Sequence, residues 1–283
     1  MCGLQVYARN ICEQMSLTEE NSTAMVVTAG NGTLVQLLSG DDGTVSMPVV
    51  RNWHCEPTQA RAQLEDAVYE QQELFMDGSM SLLLKSDFST IVAKELIGDD
   101  ENAAKKVMAL YDLSNSSECF MDALDDADGN MLLYTMPQGV RGFLERCFPT
   151  ERVCHRLVPF YRFVSSKTEA GSGEMMWADL YAGGLDVVAF RNGRLVLLNS
   201  WGGIRELADA AYYLAFAWQT SGFDAAKGKL IVSGDAELRT GVMPLLRRYV
   251  NYVTSATLPR EIKEPNFKGV PLGGLAELNA LVK

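Results

Sequence analysis

Short apolar runs separated by glycine and asparagine turns dominate the chain. Met25-Val26-Val27-Thr28 and Leu34-Val35-Gln36-Leu37-Leu38 flank Ala29-Gly30-Asn31-Gly32, and Asn-Gly between two such runs predicts a β-hairpin. Gly40-Asp41-Asp42-Gly43 reads as a second turn and Thr44 to Val50 as a third strand. Pro57 to Phe75 carries apolar residues at helical spacing (Leu64, Val68, Leu74), with Pro57 at its start. Met80 to Leu84 follows as a strand and Glu101 to Leu110 as a helix. Cys119 to Leu124 and Met131 to Tyr134 read as a strand pair, and Gln138 to Cys147 as a helix.

Ser165 to Gly173 (SSKTEAGSG) is small and polar and reads as a linker. Beyond it, Met175 to Tyr181, Leu185 to Phe190 and Arg194 to Asn199 form a predicted three-strand antiparallel meander. Ile204 to Thr220 (helix), Leu230 to Val232 (strand), Glu237 to Tyr249 (helix) and Asn251 to Thr254 (strand) complete a second unit. A Pro-punctuated tail and a last helix, Leu272 to Leu281, close the chain. Ala29–Val35 aligns without gaps on Ala182–Val188, an offset of 182 − 29 = 153, and suggests two similar units in tandem. The expected division is an irregular segment 1–23, a first domain 24–164, a linker 165–173 and a second domain with tail, 174–283.

At 47% apolar and 22% charged, the 283 residues suit a globular protein and exclude disorder. Lys+Arg number 25 and Asp+Glu 36, a formal charge of −11 that opposes nucleic-acid binding. No apolar stretch reaches bilayer length, and the N-terminus lacks the basic start and apolar centre of a signal peptide. Cys2, Cys12, Cys55, Cys119, Cys147 and Cys154 are scattered with no CxxC pair. They read as reduced thiols, so a cytoplasmic protein is expected. His54-Cys55 and Cys154-His155 could supply four zinc ligands, but neighbours on a strand point to opposite faces, and no metal site is expected.

Ala178-Asp179-Leu180-Tyr181-Ala182-Gly183-Gly184-Leu185-Asp186-Val187-Val188-Ala189-Phe190 resembles the second phosphate-binding hairpin of the actin, Hsp70 and sugar-kinase superfamily, with Asp179 and Asp186 both in register. Lys229-Leu230-Ile231-Val232-Ser233-Gly234-Asp235-Ala236 resembles the strand-to-glycine turn that covers adenosine there. The second half as a whole is similar to an uncharacterised bacterial, Bacteroidetes-type family of unknown function with an actin-like ATPase fold. The resemblance implies α/β architecture: tandem duplicated ribonuclease-H-like domains whose mixed sheets open with a three-strand antiparallel meander.

In such a site, glycine backbones form an anion nest around the phosphates, and aspartates position Mg²⁺ and water. The candidate nucleotide-binding residues are Gly30, Asn31, Gly32, Thr33, Asp179, Tyr181, Gly183, Gly184, Ser233, Gly234 and Asp235, with Asp179 and Asp186 as vestigial catalytic carboxylates. The chain departs from the pattern at several points. Tyr181 occupies the first glycine of the second hairpin, Leu185 replaces a hydroxyl residue, and Gly30 stands where an Asp-x-Gly-Thr reading has its aspartate. Asp235 replaces a second glycine. These departures argue against turnover. They point to a degenerate binding or scaffold module with an unidentified protein partner. The alternative is residual Mg-ATP binding. A ribonuclease-H-like nuclease would need carboxylates such as Asp179, Glu206 or Asp209, and Asp235 around two Mg²⁺ ions. Gly202-Gly203 reads as a turn rather than an anion pocket at a helix start. Tyr181 itself is expected to plug the phosphate position and bridge the two domains.

Overall fold

The computed structural model describes residues 22–30, 33–40, 49–52, 59–75, 79–98, 101–110, 117–168, 171–259 and 270–282. In it, β1 (Ser22–Gly30), β2 (Thr33–Gly40) and β3 (Val49–Asn52) run antiparallel. The turn Asn31-Gly32 and most of the expected strand 44–50 lie outside the described residues. Helix α1 (Ala60–Tyr69) buries Ala60, Leu64 and Val68, one stripe at four-residue spacing. It is shorter than the expected helix. The Gln71 side chain is buried and donates to the Ala67 carbonyl at 2.9 Å, while its own N–H turns to Val68. The helical acceptor is thus taken, and a 3-10 turn, Gln72–Phe75, follows.

Strand β4 (Ser79–Leu84) then pairs parallel with β1. An excursion follows: β5 (Ser89–Ala93), α2 (Lys94–Ile97), α3 (Glu101–Met108), β6 (Ser117–Ala123) and β7 (Asn130–Pro137), its strands forming a separate sheet of order β5-β7-β6. After α4 (Val140–Cys147), β8 (Arg152–His155) returns to pair parallel with β4, and α5 (Leu157–Ser165) packs behind it. The first sheet has the order β3-β2-β1-β4-β8. Pattern reading predicts neither β5, β8 nor α5. Each strand is four or five residues long, and α5 contains Pro159. That proline falls in the first turn, where its missing N–H has no helical acceptor to lose.

The second sheet consists of β9 (Glu174–Tyr181), β10 (Gly184–Arg191), β11 (Arg194–Gly202), β12 (Lys229–Gly234) and β13 (Tyr252–Ser255), in the order β11-β10-β9-β12-β13. The first three are antiparallel and the last two parallel, as in the first sheet. Helices α6 (Leu207–Thr220) and α7 (Ala236–Leu246) make the crossovers. Helix α6 starts three residues later than expected, because the Asp209 carboxylate accepts the Arg205 and Glu206 N–H groups, both at 3.0 Å, and fixes the first turn.

The paired registers correct the alignment of the two hairpins. Gly30 faces Thr33 across one tip, and Tyr181 faces Gly184 across the other. The tips therefore correspond at 181 − 30 = 151, not 153. The parallel neighbours agree: Thr28 pairs with Leu83, and Asp179 with Ser233. The residue of the first sheet that stands where Asp179 stands in the second is thus Thr28, not Gly30.

Helix α8 (Leu272–Val282) leaves the second sheet and packs on α5, β1, β2 and β4. Leu272, Leu275 and Leu278 join the core of the first sheet. Its buried Glu277 accepts from Ser81 Oγ at 2.7 Å and from Arg152 Nη1 at 3.2 Å. Among the described residues no helix is long and apolar enough to cross a membrane. Gly273 lies so close to α5 that a Cβ would overlap the Arg156 carbonyl. Gly273→Ala should therefore destabilise by about 1–3 kcal/mol in urea unfolding, despite alanine's better helix propensity. A gain in stability would show that α8 docks more loosely than this.

Candidate functional site

Strand periodicity builds the site. Met175 and Trp177 on β9 face the core of the first half, whereas Met176, Ala178 and Leu180 face α6 and α7. Period two puts Asp179 and Tyr181 on the first of these faces. On β10, Val188 and Phe190 share that face, and Asp186 falls with them. Three polar side chains of the second sheet thus turn toward the first half, all buried.

Arg156, between β8 and α5, meets them. Its guanidinium is 1% exposed. Nη2, with two hydrogens, shares them among the Tyr181 hydroxyl, Asp186 Oδ1 at 2.7 Å and Ser200 Oγ at 2.7 Å. The guanidinium carbon lies 4.9 Å from the Tyr181 ring centroid, a cation–π contact. The Tyr181 hydroxyl donates to Asp186 Oδ1 at 3.1 Å. Burial works against the Arg156 charge. Asp186 and Tyr181 outweigh it and hold the guanidinium above its ordinary range. Burial, more than any neighbour, pushes the Tyr181 phenol up, so the hydroxyl keeps its proton. Lys85 lies nearby, its ammonium made less basic by burial and then by Arg156.

Gly184 is required here for a reason unrelated to phosphate: a Cβ would overlap the Tyr181 ring. The ring lies directly over Gly184 at the hairpin tip.

Asp179 is also engaged. Oδ1 accepts from Ser233 Oγ at 2.6 Å, and Oδ2 accepts from Leu272 N at 2.6 Å. The carboxylate caps the first turn of α8, where helix N–H groups lack partners. Ser233 in turn accepts from Trp177 Nε1 at 2.8 Å. Burial pushes the Asp179 carboxyl up to about 6. The hydrogen bonds from Leu272 and Ser233 pull the other way, and nearby Asp186 reinforces the rise.

The remaining predicted residues divide. Gly234, at φ +94°, closes against the Leu180 carbonyl, which accepts from Asp235 N at 2.7 Å. Asp235 caps α7 by accepting from Glu237 N at 2.9 Å. Gly183, at φ +75°, forms the hairpin tip, and its carbonyl accepts from Ile204 N at 3.3 Å. Gly202 ends β11, and Gly203, at φ +71°, turns the chain four residues before α6 begins. Gly30 ends β1, where a Cβ would lie 2.9 Å from Lys85 Cβ. Thr33 faces it across the tip, and Asn31 and Gly32 lie outside the described residues.

The nuclease arrangement does not assemble. Asp209 and Asp235 are helix caps, and among the described residues no three His, Cys, Asp or Glu side chains cluster to hold a metal. His54 and Cys55 lie outside the described residues. His155 is buried, with Nε2 3.0 Å from Ser86 Oγ and Nδ1 accepting from Leu157 N, and burial pushes the Cys154 thiol up to about 12. Sequence reasoning missed Arg156, Lys85, Ser200 and the α8 N-terminus. Arg156 is one of two arginines, with Arg162, in the otherwise largely apolar run Val153 to Val164, and nothing local sets it apart.

Two mixed sheets of this order, bridged by buried polar side chains at the second hairpin, define a protein with the actin-like ATPase fold. A solved protein from Bacteroides thetaiotaomicron, described as having an actin-like ATPase fold and unknown function, is similar over 93% of this chain and 97% of that one, with a TM-score of 0.71 and 16% identity. The PilM–PilN type IV pilus biogenesis complex contains a chain similar over 93% of this one and 99% of its own length, with a TM-score of 0.57 and 13% identity. The chain belongs to the DUF3822 family, proteins of unknown function, which it matches over residues 52–253. No curated protein matches it.

The raised Asp179 carboxyl sets a pH dependence. Its folded value, about 6, exceeds the ordinary 3.8, so between these values the folded state binds the proton more tightly. Its contribution to stability is complete below the lower value and declines as pH rises to the upper one. In Asp179→Asn the amide oxygen can still accept from Leu272 N, and Ser233 can accept from the amide while donating to the Ala178 carbonyl. Urea unfolding should show this variant gaining on the parent from about pH 4 to 6.5 and level thereafter. A parent-minus-variant difference flat across that range would contradict the account.

Proposed function

We propose that this protein is a non-hydrolysing actin-like module that works by binding or scaffolding a protein partner. One observation carries the reading: the Tyr181 ring lies over Gly184, held by Arg156 and Asp186. Mg-ATP does not fit the second hairpin as it stands. Asp179, the residue the resemblance would give to Mg²⁺, caps α8 instead, and Thr28 stands where the first sheet would offer its carboxylate. The common strand order and corresponding tips support a tandem duplication, with a first unit 24–164, a linker 165–173 and a second unit 174–283 whose last helix returns to the first. The scattered cysteines support a cytoplasmic setting. That a similar chain occurs in a complex supports a protein partner.

A second reading, residual nucleotide binding, has one observation in its favour. Among the described residues, Arg156 Nε and Nη1 are buried without partners, with Lys85 nearby, and could serve an anion if Tyr181 swung out.

Thermal denaturation with Mg-ATP separates the two. A ligand at 100 times its Kd stabilises by about 2.7 kcal/mol, and the parent should show no such rise. Tyr181→Gly should lose about 3 kcal/mol or more, from lost aromatic burial and added backbone freedom. A rise in the parent would favour the second reading. Mg-dependent phosphate release that disappears in Asp179→Ala would overturn the first.

A further inference from the structure

The outer edge of the second sheet carries a feature unrelated to the Tyr181 cluster. Strand β13 pairs only with β12 among the described residues. Ala256 N donates to the Val232 carbonyl at 2.8 Å. With period two, the backbone groups of Tyr252 and Thr254 also turn to β12, leaving the N–H and C=O of Val253 and Ser255 directed outward. These are the groups that an added strand would use.

The ground beside this edge is cationic, in a chain of net charge −11. The loop after α7 carries Arg247 and Arg248, and Lys227 and Lys229 flank the start of β12. Asn251 N donates to the Ala225 carbonyl at 3.0 Å and holds the two segments side by side. All four cations are exposed. Lys227 faces Asp224 at 3.7 Å, whereas Lys229, Arg247 and Arg248 have no ion-pair partner among the described residues. Tyr249 and Tyr252, 59% and 57% exposed, stand beside them. The carboxylates beside them are Asp224 and Glu174, and Glu174 is already paired with Arg191 at 3.4 Å, so the four cations are in local excess.

We propose that β13 receives an extended acidic peptide segment of a partner protein as a further strand. Main-chain bonds to Val253 and Ser255 would provide the affinity, and Lys229, Arg247 and Arg248 the selection for carboxylates. A single-stranded nucleic acid would use the same cations and tyrosines, but it has no use for outward strand amides, and the net charge repels it. The site lies two strands out from β9 and stands whether or not the cleft takes a nucleotide.

The probe is a blocked peptide of about ten residues alternating Glu with Val or Thr, roughly the length of a long strand. Its control has every Glu replaced by Lys. Amide NMR titration should shift Val253, Ser255 and the 247–252 loop. Binding should weaken as salt rises from about 50 to 300 mM. Arg247→Glu with Arg248→Glu should weaken it about tenfold or more. Ser255→Pro should abolish it while the thermal melt persists, because that N–H serves no bond to β12. The Lys peptide should not bind. The proposal is overturned if the Glu peptide leaves the edge amides unmoved, or if Ser255→Pro or the Lys peptide binds as well as the parent pair. Oligouridylate shifting the same residues in its place, or sedimentation showing a second copy of the chain at this edge, would also overturn it.

Discussion

A guanidinium taken out of water has to be compensated where it lies, and in this protein the compensation comes from the other half of the molecule. Arg156 belongs to the turn between β8 and α5, while Asp186, Tyr181 and Ser200 belong to three successive strands of the second sheet. Desolvating such a pair costs several kcal/mol per ion, which good geometry must offset. Arg156 Nε and Nη1 and Asp186 Oδ2 have no partners among the described residues, so the offset is incomplete. The pair therefore defines how the halves sit together more than it raises their total stability.

The same logic explains the reuse of Asp179. A buried carboxylate needs donors, and at this strand end they are the Ser233 hydroxyl and the first N–H of α8. Because α8 then lies on β1, β2 and β4, the residue couples the second sheet to the first through a helix that belongs to neither hairpin. Glu277, midway along that helix, is fixed by Ser81 and Arg152 of the first half. Two polar contacts and a leucine face thus close the space between the sheets.

Much of this was legible in the sequence, for definable reasons. The second half alternates apolar runs with glycine turns at full strand length, so its order of strands and helices follows from periodicity alone. Asp179 and Asp186 stand out because they keep the register of the resemblance and Tyr181 because it interrupts it, and all three lie buried at one end of β9 and β10. The first half was harder to read. Strands β5 and β8 are too short for alternation to register, and α5 conceals itself behind Pro159. The two-residue error in matching the hairpins came from aligning glycines by identity: Gly184 lies under an aromatic ring, whereas Gly30 ends a strand beside Lys85. Arg156 was invisible because its partners lie 25, 30 and 44 residues away, and no local pattern reports such pairings.

The central claim, that a buried Arg156–Asp186 pair with its phenol bridge locks the two halves, is tested most directly by a double-mutant cycle in chemical unfolding. Arg156→Met and Asp186→Leu should each lose about 3–5 kcal/mol, because each strands a buried charge. The double variant should lose far less than their sum, since it removes both charges at once. Single losses below about 1 kcal/mol that add in the double variant would mean that the pair is not what joins the halves.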